Sequence, residues 1–212
     1  MWCNVFVMIV IKDTTPGLVW LKAAKEVVKN GGSVMDGETK LKELLNVFLT
    51  VEKPTESDKI LEQFADKEMI SWMKNNFLKK EPVANWGYSY GQRFFDFEGI
   101  NQVEAVIAKL KKNHDSKSAT ITLMSPKGDT QHMPCIVAID FKLRGGKLYT
   151  TAFFRSQDAG KKLYADIISI GEIAQNIAEE VGTKLGDLNI LVASLHVYES
   201  DIDRVEKAIK HL

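Results

Sequence analysis

The feature that most constrains the fold is a pair of apolar segments that meet at a double glycine. Residues 135–143 and 147–154 are rich in β-branched and aromatic residues, and Gly145-Gly146 lies between them. A short glycine loop of this kind joins adjacent antiparallel strands. Cys135 and Arg155 lie at nearly equal distances from the turn, so the hairpin predicts that they sit close together on neighbouring strands.

The rest of the chain predicts strands and helices in one α+β domain, residues 1–212, with a mixed sheet flanked by helices. Strands are predicted at 5–11, 119–124 and 189–198, and helices at 18–29, 103–112, 167–181 and 202–209, with short helices in 53–81. Residues 41–51 are compatible with either a strand or a helix. The region of about 1–85 carries fewer functional signals than the rest.

Composition limits the possible partners. The 28 Lys and Arg residues balance the 28 Asp and Glu residues, so the basic excess typical of nucleic-acid-binding proteins is absent. Residues 1–11 are apolar but short and lack a basic start, which indicates a strand rather than a signal peptide or a membrane span. We therefore expect a cytoplasmic protein that binds neither nucleic acid nor membrane.

Cys135 is the candidate nucleophile, although the residue alone is ambiguous. The chain has two cysteines, Cys3 and Cys135, and no Cys-x-x-Cys pair. The histidines show no metal-ligand spacing, and we assign no metal site. A cysteine beside an apolar strand is often a small core residue. It becomes nucleophilic where a nearby cation favours the thiolate, and Arg155 is the candidate cation.

Four short motifs in a fixed order resemble the thymidylate synthase family. They are Tyr90-Gly91-Gln92-Arg93, Met133-Pro134-Cys135, Arg155-Ser156-Gln157-Asp158 with Asp166 following, and His196-Val197-Tyr198. The resemblance is closest to the divergent thymidylate synthases of methanogenic archaea. It implies the thymidylate synthase-like fold and a homodimer formed through one face of the sheet.

The resemblance also implies a reaction and a role for each residue. A one-carbon unit would pass to C5 of a pyrimidine nucleotide, converting dUMP to dTMP, with methylene-tetrahydromethanopterin or methylene-tetrahydrofolate as the reduced pterin donor. Cys135 would attack C6, and Asp158 and Glu43 would take part in catalysis, Glu43 as an acid–base group near the end of an early helix. The remaining residues would bind substrate (Arg155, Ser156, Asp166, His196, Tyr198 and Lys117) or cofactor (Tyr90 and Trp86).

The sequence departs from the family pattern at several positions. Ile136 follows the cysteine, where the family usually has His. The family's paired arginines, which reach the partner's phosphate site, are replaced by Asp115-Ser116-Lys117-Ser118, in which only Lys117 could act, as a point charge. A relative that binds nucleotide without turnover is therefore a second hypothesis.

Asp166 stands where family members that act on uracil have Asn, and where cytidylate hydroxymethylases have Asp. A carboxylate accepts from the amino group of cytosine, and a protonated carboxyl also serves N3. The chain could therefore be a (d)CMP hydroxymethylase. The simpler alternative is that Asp166 caps the helix predicted at 167–181.

Overall fold

The computed structural model describes residues 8–55, 57–82 and 86–212, which contain eight strands and seven α-helices. The strands are β1 (Ile9–Asp13), β2 (Gly32–Asp36), β3 (Thr39–Val51), β4 (Thr120–Thr122), β5 (Ile136–Arg144), β6 (Lys147–Phe154), β7 (Gln157–Asp158) and β8 (Lys184–Tyr198). The helices are α1 (Pro16–Asn30), α2 (Lys59–Phe64), α3 (Lys67–Leu78), α4 (Tyr90–Phe95), α5 (Gln102–Lys112), α6 (Leu163–Glu180) and α7 (Ile202–Ile209).

All eight strands belong to one mixed sheet with the order β1-β3-β8-β6-β5-β4. Strand β2 pairs with β3, and the short β7 pairs with β8. The β5–β6 hairpin is antiparallel and turns at Gly145 and Gly146, both of which adopt positive φ angles. Strand β8 is parallel to β6 and antiparallel to β3. The long strand β8 therefore joins the two halves of the sheet.

The core lies between the sheet and the helices on one of its faces. Side chains alternate along β8, where Leu188, Ile190 and Val192 are fully buried while Leu191 is partly exposed. Helix α6 packs on β6 and β8, and α1 packs on β3 and β8. No helix in the described ranges is both long and apolar enough to cross a membrane.

The mixed sheet with flanking helices confirms the predicted fold class, and the differences lie at element boundaries and in short elements that were not predicted. Strand β2 and helix α4 were not predicted, and residues 41–51 are part of strand β3. Strand β8 begins earlier than predicted, and α6 begins at Leu163 rather than at residue 167. The strand predicted at 5–11 appears as β1 from Ile9, and its first residues lie outside the described part of the chain, as does Cys3.

A buried ion pair ties α4 to the loop between β4 and β5. An Nη of Arg93 donates to Asp129 at 2.5 Å, and the second carboxylate oxygen of Asp129 accepts from the amide of Ser125. The Arg93 guanidinium also lies 5.1 Å from the ring centre of Tyr88 and 4.5 Å from that of Phe97. Because this loop leads directly into Cys135, the ion pair helps to fix the entry to β5.

We expect Asp129→Asn to lower the free energy of unfolding by about 3–5 kcal/mol, because the substitution leaves the Arg93 charge buried without a counter-charge. Urea denaturation measures the change. The matched control is Glu180→Gln, which removes a carboxylate from the exposed Lys111–Glu180 pair and should cost less than about 1 kcal/mol. Similar small losses for both variants would contradict the role of the buried pair.

Candidate active site

A cavity of about 300 Å³ opens where the start of β5, the ends of β6 and β8, and the start of α6 meet. Residues that lie far apart in the sequence line it together. They include Asp36, Asn76, Trp86, Tyr88, Tyr90, His132, Cys135, Arg155, Ser156, Gln157, Asp158, Lys162, Asp166, His196 and Tyr198. The cavity combines an aromatic wall with several ionisable groups and one thiol, which is the composition expected of a site for a small polar ligand.

The backbone around Cys135 is held from two sides. The buried hydroxyl of Tyr90 accepts hydrogen bonds from the amides of Cys135 at 3.1 Å and Ile136 at 3.3 Å. The carbonyl of Cys135 accepts from the amide of Arg155 at 2.9 Å, which confirms the predicted proximity of these two residues. The main chain therefore fixes the direction in which the thiol enters the cavity.

The Arg155 side chain also contacts the loop before Cys135. Its Nε donates to the carbonyl of Pro134 at 2.9 Å, and one Nη donates to that of Met133 at 2.6 Å. Arg155 is exposed and lines the cavity. The guanidinium thus stabilises the segment that precedes Cys135, and its remaining Nη is available for a ligand.

The Cys135 thiol is half-buried, and burial raises its pKa. Arg155 and Lys162 oppose this effect through their positive charges, whereas Asp166 and Asp158 add to it. Burial is the largest of these influences. The cation predicted to favour the thiolate is therefore in place, but in the ligand-free protein it does not outweigh the desolvation of the sulfur.

Asp158 and His196 lie side by side because β7 and β8 pair in parallel at these residues. One oxygen of Asp158 accepts from the amides of Gly160 at 2.7 Å and Lys161 at 3.1 Å, which closes the turn before α6. Burial raises the pKa of Asp158 and lowers the pKa of His196, and the attraction between the two groups opposes both shifts. Tyr198 follows on the same side of β8, with its ring centre 5.0 Å from that of His196.

Asp166 faces the cavity from the first turn of α6 and is almost completely buried, with 4% of its surface exposed. Its Oδ2 accepts from the side-chain amide of Gln157 at 2.9 Å. The position before α6 that a cap would occupy belongs to Lys162, so the alternative that Asp166 is only a helix cap is wrong. Burial raises the pKa of Asp166 to about 7, so the protonated carboxyl is accessible near neutral pH.

Aromatic side chains form one wall of the cavity. The ring centres of Trp86 and Tyr88 are 6.3 Å apart, and those of Tyr88 and Tyr90 are 6.2 Å apart. A second tryptophan, Trp72, supports Trp86 edge-on at 5.5 Å. Flat apolar faces of this kind suit a stacked heterocycle, whereas the Tyr90 hydroxyl is occupied by the backbone of Cys135 and Ile136.

Two residues predicted for the site lie elsewhere in the subunit. Glu43 is in the middle of strand β3 rather than near a helix end, and its carboxylate accepts a hydrogen bond from the Ser194 hydroxyl. Lys117 lies three residues before β4, whose Thr120–Thr122 pair with Asp140–Ala138 of β5. Neither residue lines the cavity, although Glu43 lies directly opposite His196 across β3 and β8.

Lys162, Gln157 and His132 line the cavity without having been assigned a role from the sequence. Lys162 precedes Asp166 by one helical turn, and its Nζ lies 5.6 Å from the ring centre of Trp86. If the helix predicted at 167–181 had been predicted to begin four residues earlier, Lys162 and Asp166 would have been expected on the same face of it. Gln157 occupies the variable position of the motif Arg155-Ser156-Gln157-Asp158, so the sequence offers no reason to assign it a role.

Comparison with known proteins identifies the class. The family profile described as "Thymidylate synthase" matches residues 38–211, and the chain therefore belongs to the thymidylate synthase family. Enzymes of this family act on a pyrimidine nucleotide and generally use a folate-type one-carbon cofactor.

The relatives come from methanogenic archaea, as the resemblance predicted. Three proteins named "Putative thymidylate synthase" illustrate the similarity. The protein from Methanosarcina mazei is 32% identical over 87% of both chains, and that from Methanosarcina barkeri is 29% identical over 95% of this chain and 94% of its own. The protein from Methanocaldococcus jannaschii is 28% identical over 94% of this chain and 96% of its own.

The raised pKa of Asp166 predicts a specific dependence of stability on pH. A carboxyl whose pKa rises on folding, here from 3.8 to about 7, stabilises the protein at low pH, and this contribution is lost as the pH rises through that window. Compared with Asp166→Asn, the wild type should therefore lose on the order of 4 kcal/mol of relative stability between pH 4 and pH 7. Urea denaturation of both proteins across this range measures the difference.

The exposed Asp203→Asn variant serves as the control, and its stability relative to the wild type should change little with pH. Curves for Asp166→Asn and the wild type that remain parallel from pH 4 to pH 7 would show that the Asp166 carboxyl is not perturbed by folding.

Proposed function

We propose that this protein transfers a one-carbon unit to C5 of a pyrimidine nucleotide, converting dUMP to dTMP through a covalent adduct between Cys135 and C6. The observation that carries the proposal is that one cavity collects the thiol of Cys135 with Arg155, Asp166, His196 and Tyr198. Apart from Asp166, which stands where family members that act on uracil have Asn, these residues follow the order of the family's motifs, and the chain belongs to that family.

Cys135 acts as the nucleophile. Its thiol loses a proton to solvent or to a carboxylate of the cavity, and the sulfur forms a bond to C6 of the pyrimidine while the electron pair of the C5–C6 double bond moves toward C5 and the C4 substituent. C5 thereby becomes the carbon nucleophile. Because burial disfavours the free thiolate, we expect sulfur attack and charge delocalisation into the ring to be closely coupled.

The other end of the nucleotide is held by charge and hydrogen bonds. Arg155 and Ser156 follow each other at the cavity wall, and we assign them to the phosphate. A guanidinium is well suited to phosphate because it combines a fixed charge with several directed N–H donors. His196 and Tyr198 would bind a sugar hydroxyl, since the neutral imidazole and the phenol can each donate or accept.

The one-carbon donor is a reduced pterin, methylene-tetrahydromethanopterin or methylene-tetrahydrofolate. Trp86 and Tyr88 would hold its flat ring against the cavity wall. Bound there, the donor would supply the one-carbon unit that C5 receives and the hydride that reduces this unit to a methyl group. Asp158 anchors the turn that separates Arg155 from α6 and lies beside His196. It can therefore hold charge or a proton near the base and sugar.

A second candidate function is hydroxymethylation of a cytidylate, favoured by the buried Asp166. With a pKa of about 7, the carboxyl is available in both protonation states at neutral pH. The protonated form can donate to N3 of cytosine and accept from its amino group. Release of tritium from C5-labelled dUMP, dCMP and CMP, measured side by side, distinguishes the two reactions.

Cys135→Ser should abolish exchange of the C5 proton on every substrate, because the hydroxyl is far less acidic and less nucleophilic than the thiol. A tritium-release assay with C5-labelled dUMP and dCMP measures the loss. Cys3→Ser is the matched control and should retain nearly full exchange.

Normal exchange by Cys135→Ser would overturn the covalent mechanism. A wild-type protein that binds the nucleotide but releases no tritium from any substrate would instead identify a binding relative without turnover.

We also propose that the protein is a homodimer formed through the face of the sheet that carries no helix. Phe48, Leu191 and Phe153 are partly exposed neighbours across β3, β8 and β6, since Leu191 pairs with Phe48 on one side and with Phe153 on the other. This apolar row can form the centre of an interface. A dimer could also bring Lys117 to the phosphate site of its partner.

Sedimentation should give a dimer at micromolar concentration, with a buried area above about 2,000 Å² in total. Leu191→Asp should dissociate it, because a carboxylate would be buried without a partner. Leu78→Asp, at an exposed leucine of α3, is the control and should leave the dimer intact. A monomeric wild type would contradict the assembly.

A further inference from the structure

Two cations line the cavity, and they differ in how far the protein already engages them. Two of the three nitrogens of the Arg155 guanidinium donate to the carbonyls of Met133 and Pro134. Lys162 is half-buried, and its Nζ lies 5.6 Å from the centre of the Trp86 ring. Within the described ranges the contact found for its ammonium group is the one with the Trp86 ring, with no hydrogen bond or ion pair, so its donors are available to a ligand in the cavity.

Lys162 and Asp166 share one face of α6. The amide of Asp166 donates to the carbonyl of Lys162 at 3.0 Å, which sets the two residues one helical turn apart with both side chains at the cavity. Oδ2 of Asp166 is engaged by Gln157. The pair therefore presents an ammonium donor and a carboxyl group that keeps one oxygen for a ligand.

This combination matches the edge of a uracil ring. Uracil presents an acceptor at O4 and a donor at N3, so it needs one donor and one acceptor from the protein. Asp166 in its ionised form supplies only acceptors. Lys162 provides the missing donor. Together the two side chains can donate to O4 and accept from N3, which a single amide side chain such as Asn would do alone.

The same ammonium group is suited to the chemistry. When the Cys135 sulfur bonds to C6, the π electrons of the C5–C6 bond delocalise onto O4, which acquires negative charge. A positive donor already directed at that oxygen stabilises the charge where it develops. Ile136 has an apolar, fully buried side chain, and Glu43 does not line the cavity. Neither residue can therefore stabilise the negative charge on O4.

We infer that Lys162 is a catalytic and specificity-determining residue, which donates a hydrogen bond to O4 of a uracil nucleotide while Asp166 accepts one from N3. The inference rests on the proposed function. It assigns dUMP rather than dCMP as the better substrate, because the amino group of cytosine at C4 is a donor and would face the ammonium group.

The test replaces Lys162 with Met, which keeps the length of the side chain and removes its charge. We expect Lys162→Met to lower C5 tritium release from dUMP and to reduce the dUMP-to-dCMP ratio by roughly 5- to 150-fold, the range for loss of one well-placed polar contact. Lys147→Met, at the turn remote from the cavity, is the matched control and should keep the wild-type ratio.

A second readout does not depend on turnover. Because Lys162 favours the ionised forms of Cys135 and Asp166, its removal should shift the pH profile of Cys135 alkylation by iodoacetamide to higher pH. Circular dichroism checks that the variant is folded. The deoxynucleotide of 2-pyrimidinone, which has no group at C4, should bind the wild type and Lys162→Met equally well.

The outcomes separate the two proposals. If the wild type releases no tritium from any nucleotide, the proposed function fails, whatever Lys162 does. If the wild type is active but Lys162→Met keeps both its rate on dUMP and its dUMP-to-dCMP ratio, the role of Lys162 is overturned. Unequal binding of the 2-pyrimidinone nucleotide would likewise show that Lys162 acts elsewhere than at C4.

Discussion

The pairing of strand β8 with its neighbours is the constraint on which the rest of the structure depends. This strand hydrogen-bonds to β3 on one side and to β6 and β7 on the other. The β6 contact brings the end of the hairpin beside β8, and the β7 contact sets Asp158 against His196. A slip of one residue would turn His196 away from the cavity and bury it in the core, because side chains alternate along a strand. The geometry of the site is thus a consequence of sheet register.

The backbone at the thiol is fixed by three sets of contacts, two of which come from α4. Tyr90 reaches it from α4, Arg155 reaches it from the end of β6, and the Arg93–Asp129 pair fixes the loop that precedes it. As the proposed nucleophile, Cys135 would have to approach its target within a narrow range of distance and angle, and most of the entropy cost of that alignment would be met when the chain folds. The position of the sulfur is therefore already defined when a ligand binds.

The sequence predicted long-range neighbours where hydrophobic pattern and turn chemistry determine them. The double glycine set the hairpin register, which was enough to bring Cys135 and Arg155 together. The sequence did not predict that Lys162 lies at the cavity or that Asp166 is buried. Helix α6 starts after the turn closed by Asp158 and has no side-chain cap, so the sequence contains no local signal for its first residue. Glu43 was misjudged for a related reason: residues 41–51 have no clear periodicity, and pairing with β8 decides that they form a strand.

Burial favours the uncharged form of each ionisable group in the cavity, so it raises the pKa of the carboxyls and lowers that of the imidazole. It raises the pKa of Asp166 to about 7 and also raises that of Asp158, while it lowers that of His196. Among the described residues that line the cavity the carboxylates are aspartates, and none is a glutamate. Groups whose environments bring their pKa values near the working pH can exchange protons in either direction. In the proposed reaction, proton transfers would therefore fall to Asp158 and Asp166, because desolvation raises the pKa values of both carboxyls toward neutral pH, whereas it keeps His196 in its neutral form.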